Sequence, residues 1–493
     1  MKRWSSLSLC AAGSLLLVVP IASGCAETSS AAPLSASSFS GVIGAGGGSL
    51  SGEGAFAGVV ASVPPGAFAG DTTVTITSVA PTSNLPETAA SVGPMFAVTF
   101  ASPPGKRVSV TLPVDLRTAS AFGQDYRKVK VWFTAAGTDA WERIDAGDTA
   151  ALDGIVGSVT VGLDDGGLLG AGVVLGDESC DGGCPALSAT TLSLTEPTFG
   201  TALASTGSAV ATLRVVDEGG GTALHVVTSP IDGGAPTLSA PLPIDAAADA
   251  WPARGLALRG GDAFAGLRTG LASFPNAGAP TLTEDETLAV VRVGIDVAWI
   301  VAGIADGERV PAVRLVSAGV ASTAVPLVQS GSSKPLTITA TSLASAPGES
   351  GFVLGLPDRM VVVSVEDGAI TVADVVPLGG DAVIDAVTSN WLLRDRDGYV
   401  RNEKGLVVED TPPLGALVGT GDHVVGTGAG GRSLVLLTSD GVAPNPFEPA
   451  PFRLESTSTG SVPGLPLVAI VEVDGDAVVG LDTAGQLRRI ALP

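Results

Sequence analysis

"VVGLDTAGQLRRIALP", residues 478–493, runs an apolar pair into an Asp-Thr-Ala-Gly turn and out again into a second short alternating segment. The same pattern occurs upstream. "VLLTSDG" ends at Gly441, 44 residues before Gly485, and "WLLRDRDG" ends at Gly398, a further 43 back. "GAPTL" stands at 234–238 and again at 278–282, also a step of 44. A period in the low forties is that of a four-stranded propeller blade. Strand pairs around such turns begin near Leu213, Leu256, Val297, Phe352, Asn390, His423 and Val468, a mean step of (468 − 213)/6 = 42.5. Seven blades fit, and the uneven spacing leaves six or eight open. The last segment, "GQLRRIALP" (485–493), is expected to pair with "ATTLSLTEP" (189–197), closing the ring and hiding its edges. A run of sandwich domains is the rival architecture, because evenly spaced strands suit both.

Working outward, Gly 66 and Pro 34 make up about a fifth of the 493 residues. Valine and threonine recur in short alternating runs, and no stretch of 12 or more residues shows a capped helical stripe. Frequent turn residues between alternating segments indicate an all-β chain. The N-terminal part reads as a β-sandwich and the remainder as a β-propeller of about seven blades. In "VASVPPGAFAGDTTVTITSV" (60–79) one strand ends at Val63, Pro64 and Pro65 break pairing, Gly66 turns the chain, and Val74 and Ile76 share the face of the next strand. Prolines donate nothing to a ladder, so pairing must stop there. Phe96/Val98/Phe100, Val108/Val110/Leu112, Val129/Val131/Phe133 and Val159/Val161/Leu163 each put their apolar members on one side, as a two-layer sandwich requires.

This N-terminal stretch resembles a known module. "GGGSL", "VPPGAFAGDTTVTI", "VSVTLPV" and "GSVTVGLDDGGLLGAGV" are similar to the β-sandwich that ankyrins and netrin receptors share with many exported bacterial lipoproteins. The resemblance implies an interaction and spacing unit without catalytic residues; where the family places an aromatic near the last strand, this chain has Asp165-Gly166. The C-terminal "VVGLDTAGQLRRIAL" resembles the blade segment of quinoprotein-type propellers, without that family's docking signature or a tryptophan-aspartate repeat.

Location is read from the other end. Lys2 and Arg3 precede an uncharged stretch from Trp4 to Gly24 with "LLLVVPI" at its centre, the layout of a secretory leader. "ASGC" (22–25) resembles the bacterial lipobox, which implies cleavage before Cys25 and lipid on its sulfur, with Ala22 in place of the usual aliphatic residue. Acyl chains on one cysteine hold a protein at a membrane without a spanning segment. Plain cleavage and a retained anchor are the competing readings. The family's retention aspartate is absent after Cys25, which points to the outer membrane of a Gram-negative bacterium. The expected organisation is a signal peptide over 1–24, a flexible tether over 25–40, the sandwich over 41–176, a disulfide-containing linker over 177–186 and the propeller over 187–493.

Residues that carry chemistry are sparse. Without the leader's two cations the chain has 24 basic and 49 acidic residues, a net −25 that repels polyanions, so nucleic acid is not an expected partner. Cys180 and Cys184 in "ESCDGGCPA" are spaced for a local disulfide in an oxidising compartment, and no thiol or histidine nearby completes a metal site. His225 and His423 are expected on strand faces, and no G-x-S-x-G elbow is present. The acids of "VEDG" (365–368), "DRDG" (395–398) and "VDGD" (473–476) have the residue types tight turns need. Tyr399 stands where a calcium loop would want an oxygen after Asp395 and Asp397. "GTGAGGRS" (426–433) reads as a hairpin turn, lacking the lysine and following helix of a phosphate loop. Trp299 is expected in the core, with Trp251 and Trp391 open to core or binding roles. No catalytic residue, metal or cofactor is expected. The favoured reading is a noncatalytic lipid-anchored protein offering a propeller to a protein or glycan partner; the alternative is a propeller hydrolase or lyase with an acidic central site.

Overall fold

The computed structural model describes residues 38–492, apart from internal segments of which 121–128, 175–183, 193–201 and 440–453 are the longest. Two antiparallel sheets come first. One is built on Ser38–Ile43, Thr72–Val79, Met95–Phe100, Gly167–Val174, Lys130–Ala135 and Glu142–Ile144, and the other on Ala150–Asp153, Val156–Leu163, Val108–Asp115, Val60–Val63 and Gly48–Ser51. The alternating sets meet between them: Val74, Ile76, Phe96 and Val98 from the first sheet share one buried core with Val108, Val110, Leu112, Val159 and Val161 from the second. The Pro-Pro-Gly step carries the chain from one sheet to the other, and Gly66 makes the turn with φ +72° while donating to the Ala45 carbonyl at 2.8 Å.

The sandwich begins earlier than composition suggests. Ser38, Phe39 and Ser40, the last residues of the expected tether, pair with Thr77, Ile76 and Thr75. The Phe39 ring lies 4.9 Å from that of Phe56. One aromatic anchor in a serine-alanine run is enough to extend the strand, and a window average over small residues hides it.

The propeller follows. Seven inner strands, Leu203–Thr206, Leu256–Arg259, Thr287–Val293, Ala344–Pro347, Ile384–Val387, Leu417–Thr420 and Leu467–Asp474, stand side by side in chain order, and the last returns to the first. Each opens a separate antiparallel sheet, giving blades 1 to 7 among the described residues. The ring closes as expected: Ala189–Leu192 pairs with Leu487–Ala491 in the register Ala189 to Ile490 through Leu192 to Leu487. The seven sequence markers fall in seven different blades but at mixed depths. Leu256 and Val468 lie on inner strands, Leu213, Val297, Phe352 and His423 on second strands, and Asn390 in the turn between. Residues 435–439 of "VLLTSDG" likewise fall on a third strand, whereas residues 393–395 of "WLLRDRDG" and 478–482 of "VVGLDTAG" fall on second strands. Aspartate-glycine turns occur at more than one depth, Asp306-Gly307 joining a second to a third strand, Asp367-Gly368 a third to a fourth and Asp474-Gly475 a first to a second, so the pattern does not fix which hairpin it marks.

The true equivalents are "DRDGYVR" (395–401) and "DTAGQLR" (482–488). Buried Asp395 accepts the N–H groups of Asp397 and Tyr399, both at 3.0 Å, on Oδ1 and the Arg401 Nε at 2.8 Å on Oδ2. Buried Asp482 accepts from Ala484 and Gln486 at 2.9 Å and from Arg488 Nη2 at 2.6 Å. These acids close turns and hold an arginine six residues on. Trp299, 1% exposed, donates from Nε1 to Thr287 Oγ1 at 2.9 Å beneath the Arg314 guanidinium, a core position. Trp251 packs half-buried against the core of blades 1 and 2, and Trp391 lies outside the described residues.

The sandwich meets the propeller at the face where inner strands begin. Arg117, in the short helix Leu116–Ser120, donates to the Leu343 carbonyl at 3.4 Å, one residue before the inner strand of blade 4. The Ala248 N–H, in the turn leading to blade 2, donates to Ser78 Oγ at 3.1 Å, and Arg268 of blade 2 donates to the Gly54 carbonyl.

Removing a buried carboxylate strands both its arginine and two backbone donors. Asp482→Ala is therefore expected to lower the free energy of unfolding by about 3–5 kcal/mol, against a smaller loss for Asp482→Asn, which keeps an acceptor; urea unfolding of both variants measures this.

Candidate functional site

All seven inner strands line one central cavity of about 560 Å³. An innermost strand has a sheet neighbour on one side only, so its other edge turns main-chain N–H and C=O groups toward the axis. Aliphatic residues, among them Leu203, Leu256, Val290, Val387, Val418 and Ile470, are the larger part of the lining, but several are buried between blades and the exposed wall is somewhat more polar than apolar; no aromatic, histidine, lysine or cysteine lines it among the described residues. Close packing of the strands requires glycine in places. Gly255, at φ +125°, would put a Cβ 2.3 Å from the Val290 carbonyl oxygen.

Polar groups gather where the inner strands end, opposite the face that carries the sandwich. Ser205 and Thr388, Ser389, Glu349, Glu472 and Arg292 form this mouth. Arg292 comes from blade 3 and reaches past blade 2 to the Ser205 carbonyl of blade 1, with Nη1 at 3.5 Å. Ser205 Oγ in turn donates to the Glu472 carbonyl of blade 7. On the other side Ser389 Oγ donates to Asn390 Oδ1 at 3.0 Å, and Asn390 Nδ2 to the His423 carbonyl at 3.3 Å. Burial pushes the Glu472 carboxyl above its ordinary range, Asp474 pushes the same way, and Arg292 opposes them.

A second depression, of about 700 Å³, lies at the rim of blades 1 to 3 and is lined by Asp245, Asp249, Glu284, Asp285, Glu286 and Arg268. Arg314 pairs with Asp285 at 3.1 Å and Arg309 with Glu286, so part of this acidity is spent within the fold. Burial raises Asp249 and disfavours the charge on Arg268.

The histidines sit on strands, as expected. Buried His225 contacts the Ser239 carbonyl through Nδ1 and Glu218 Oε1 through Nε2, each at 3.0 Å. "GTGAGGRS" is a hairpin joining His423–Thr427 to Ser433–Ser439, with Gly430 and Gly431 at positive φ. Asp367 and Gly368 turn "VEDG", and Asp474 Oδ1 caps the "VDGD" turn by accepting from Asp476 N–H at 3.1 Å. Among the described residues no group of three His, Cys, Asp or Glu side chains is placed to hold a metal ion, and no helix is long and apolar enough to cross a membrane. Cys184 is half-buried; Cys180, its expected disulfide partner, and Cys25, the expected lipidation site, lie outside the described residues.

Sequence reading did not find Arg292, Ser205 or Glu472. A signal was available: "LAVVRVG" and "VAIVEVDG" each set one charge in a valine-rich strand. Only the ring shows that the strands are innermost and that both charges share a mouth.

No protein-family model matches the sequence, and no curated protein matches it. Among solved structures the chain is similar to YCF48 bound to D1 peptide, at 11% identity over 63% of this chain and 100% of that one, with a TM-score of 0.40. It is also similar to the WD40 domain of coronin from Toxoplasma gondii, at 12% identity over 62% of this chain and 86% of that one, TM-score 0.37. For the WD40 β-propeller domain of Doa1 the values are 9%, 63%, 98% and 0.37. At these identities the likeness concerns fold alone.

Because its carboxyl is held above the ordinary range, folded Glu472 binds its proton more tightly than in the unfolded chain. Its contribution to stability is full below the ordinary glutamate range and is lost as pH rises through the raised value. Glu472→Gln is expected to unfold at a higher temperature than the native chain near neutral pH, the difference narrowing toward pH 4; calorimetry across that range measures it.

Proposed function

We propose that this is a noncatalytic, lipid-anchored envelope protein whose propeller channel captures an extended segment of a partner protein. The observation that carries the reading is the channel itself: seven inner strands around a socket of mixed aliphatic and polar surface, with polar side chains at one mouth. A wall of that mixed kind suits an extended peptide, which brings both side chains and main-chain polar groups. Sugars are held by stacking on aromatic rings, and none lines the socket among the described residues, so a glycan is the weaker match. Among the described residues no serine or threonine of the lining is hydrogen-bonded to a histidine or a carboxylate, the arrangement that would activate it as a nucleophile. The main chain of an extended peptide complements edge N–H and C=O groups, with pockets for its side chains. The lipobox at Cys25 supports attachment, and the sandwich, similar to interaction modules of exported lipoproteins, supports a spacing role between anchor and propeller.

A hydrolase or lyase working in this channel would have to rely on Glu349 and Glu472, the carboxylates at its mouth. Turnover of a peptide or glycan by the native chain that disappears in Glu472→Gln would replace the binding reading.

Two tests follow. Protein isolated from its native envelope is expected to show, by intact mass, loss of residues 1–24 and acyl mass on Cys25, with Cys25→Ser released to the soluble fraction; an unmodified Cys25 removes the anchor. The full mature chain is expected to bind members of an immobilised peptide library. Ser389→Trp, which fills the mouth from an exposed position, is expected to weaken that binding at least tenfold with little change in melting temperature.

A further inference from the structure

Resting on the peptide-socket reading, we infer that Arg292 recognises a single carboxylate on the captured segment. Among the described residues at least ten other arginines lie within 4 Å of a carboxylate, as an acidic chain makes easy. Arg292 has no such partner among the described residues, although it stands in the channel mouth with Glu349 and Glu472. Its neighbours in the strand, Val291 and Val293, are buried, whereas Arg292 itself is exposed. The guanidinium is therefore positioned by its strand and left open. One bond of 3.5 Å to the Ser205 carbonyl, at the limit of hydrogen-bond reach, steadies it across the mouth while leaving its other N–H groups to a ligand. A planar guanidinium with several free donors matches a carboxylate in bidentate fashion.

The surroundings select one negative charge and reject many. Glu472 is half-buried; burial and Asp474 push its carboxyl above the ordinary range and Arg292 opposes them, yet it makes no ion pair within 4 Å with Arg292 among the described residues. Glu349 at the same mouth and the net charge of −23 repel acidic runs and polyanions. Beyond the mouth the lining side chains are mostly small or aliphatic, so the favoured ligand carries its carboxylate next to small or branched residues. That carboxylate is supplied either by the C-terminus of the partner chain or by an aspartate or glutamate side chain, and the chemistry at Arg292 is the same.

The test uses the full mature chain and acetylated hexapeptides randomised over Ala, Val, Leu, Ser and Thr, prepared in three forms: free C-terminal acid, C-terminal amide, and amide with one internal glutamate. Binding is measured by fluorescence polarisation. The acid or the glutamate form is expected to bind about 10–100-fold more tightly than the plain amide, the range of a charge-assisted hydrogen bond, and whichever wins identifies the source. Arg292→Gln is expected to abolish the preference while retaining plain-amide binding and melting temperature, and Arg292→Lys to restore part of it. Equal binding of all three forms by the native chain, or a preference that survives in Arg292→Gln, overturns the inference and leaves the peptide socket standing. Absence of binding by every form overturns both.

Discussion

Ring closure is the constraint on which the rest of this structure depends. Each blade is a short twisted sheet that leaves unpaired edges and apolar faces, and it buries those faces only against the blades beside it. A chain of such sheets is stable as a circle, where the last finds the first. Here the join is four residue pairs between Ala189–Leu192 and Leu487–Ala491. Leu192 and Leu487, paired at its end, are both buried in the core that the last blade shares with the sandwich. Closing so long a loop has an entropic cost that grows only logarithmically with length. A short strand suffices because the buried faces of the first and last blades come together at the same moment.

Part of the negative charge sits in the hairpin turns, at Asp306, Asp367, Asp395, Asp474 and Asp482. In blades 5 and 7 the same carboxylates reach inward to hold Arg401 and Arg488. Arg394 goes further. It is wholly buried beside Asp385 and donates to the Gly415 carbonyl; burial works against its charge, and Asp385 and Asp395 work for it. Buried pairs of this kind add little net stability but make a wrong arrangement expensive, because either partner alone is an unpaired charge. The helix Leu116–Ser120 of the sandwich packs against the inner strand of blade 5, where Arg117, of like charge, works against Arg394 and Asp115 works for it.

What was legible in the sequence follows the same physics. Alternation of period two is imposed locally, so the sandwich core residues and the strand character of the propeller could be read directly. The number of blades came from the recurrence of turns, and the closing strand from the need to hide an edge. Depth within a blade was not legible. Val418 on an inner strand and Val435 on a third strand occupy the same kind of apolar run, and only closure distinguishes them. The channel residues were hidden for that reason: Arg292 and Glu472 lie 180 positions apart and become neighbours through the ring. The Asp–Arg locks were half read, because the turn signal is local to four residues and the arginine lies beyond it.

The placement of the sandwich gives the channel its direction. Helix Leu116–Ser120 and the turn at Ala248 attach where inner strands begin, so the polar mouth is at the face the sandwich leaves free. The inner strands are short, several of them four residues, and each is tilted away from the next by the curvature of the ring. A ligand can follow no single edge for long, and main-chain bonding alone therefore offers little discrimination among peptides. On the proposed peptide-binding reading, selectivity comes from side chains at the mouth, where exposed Arg292 stands with Glu349 and Glu472.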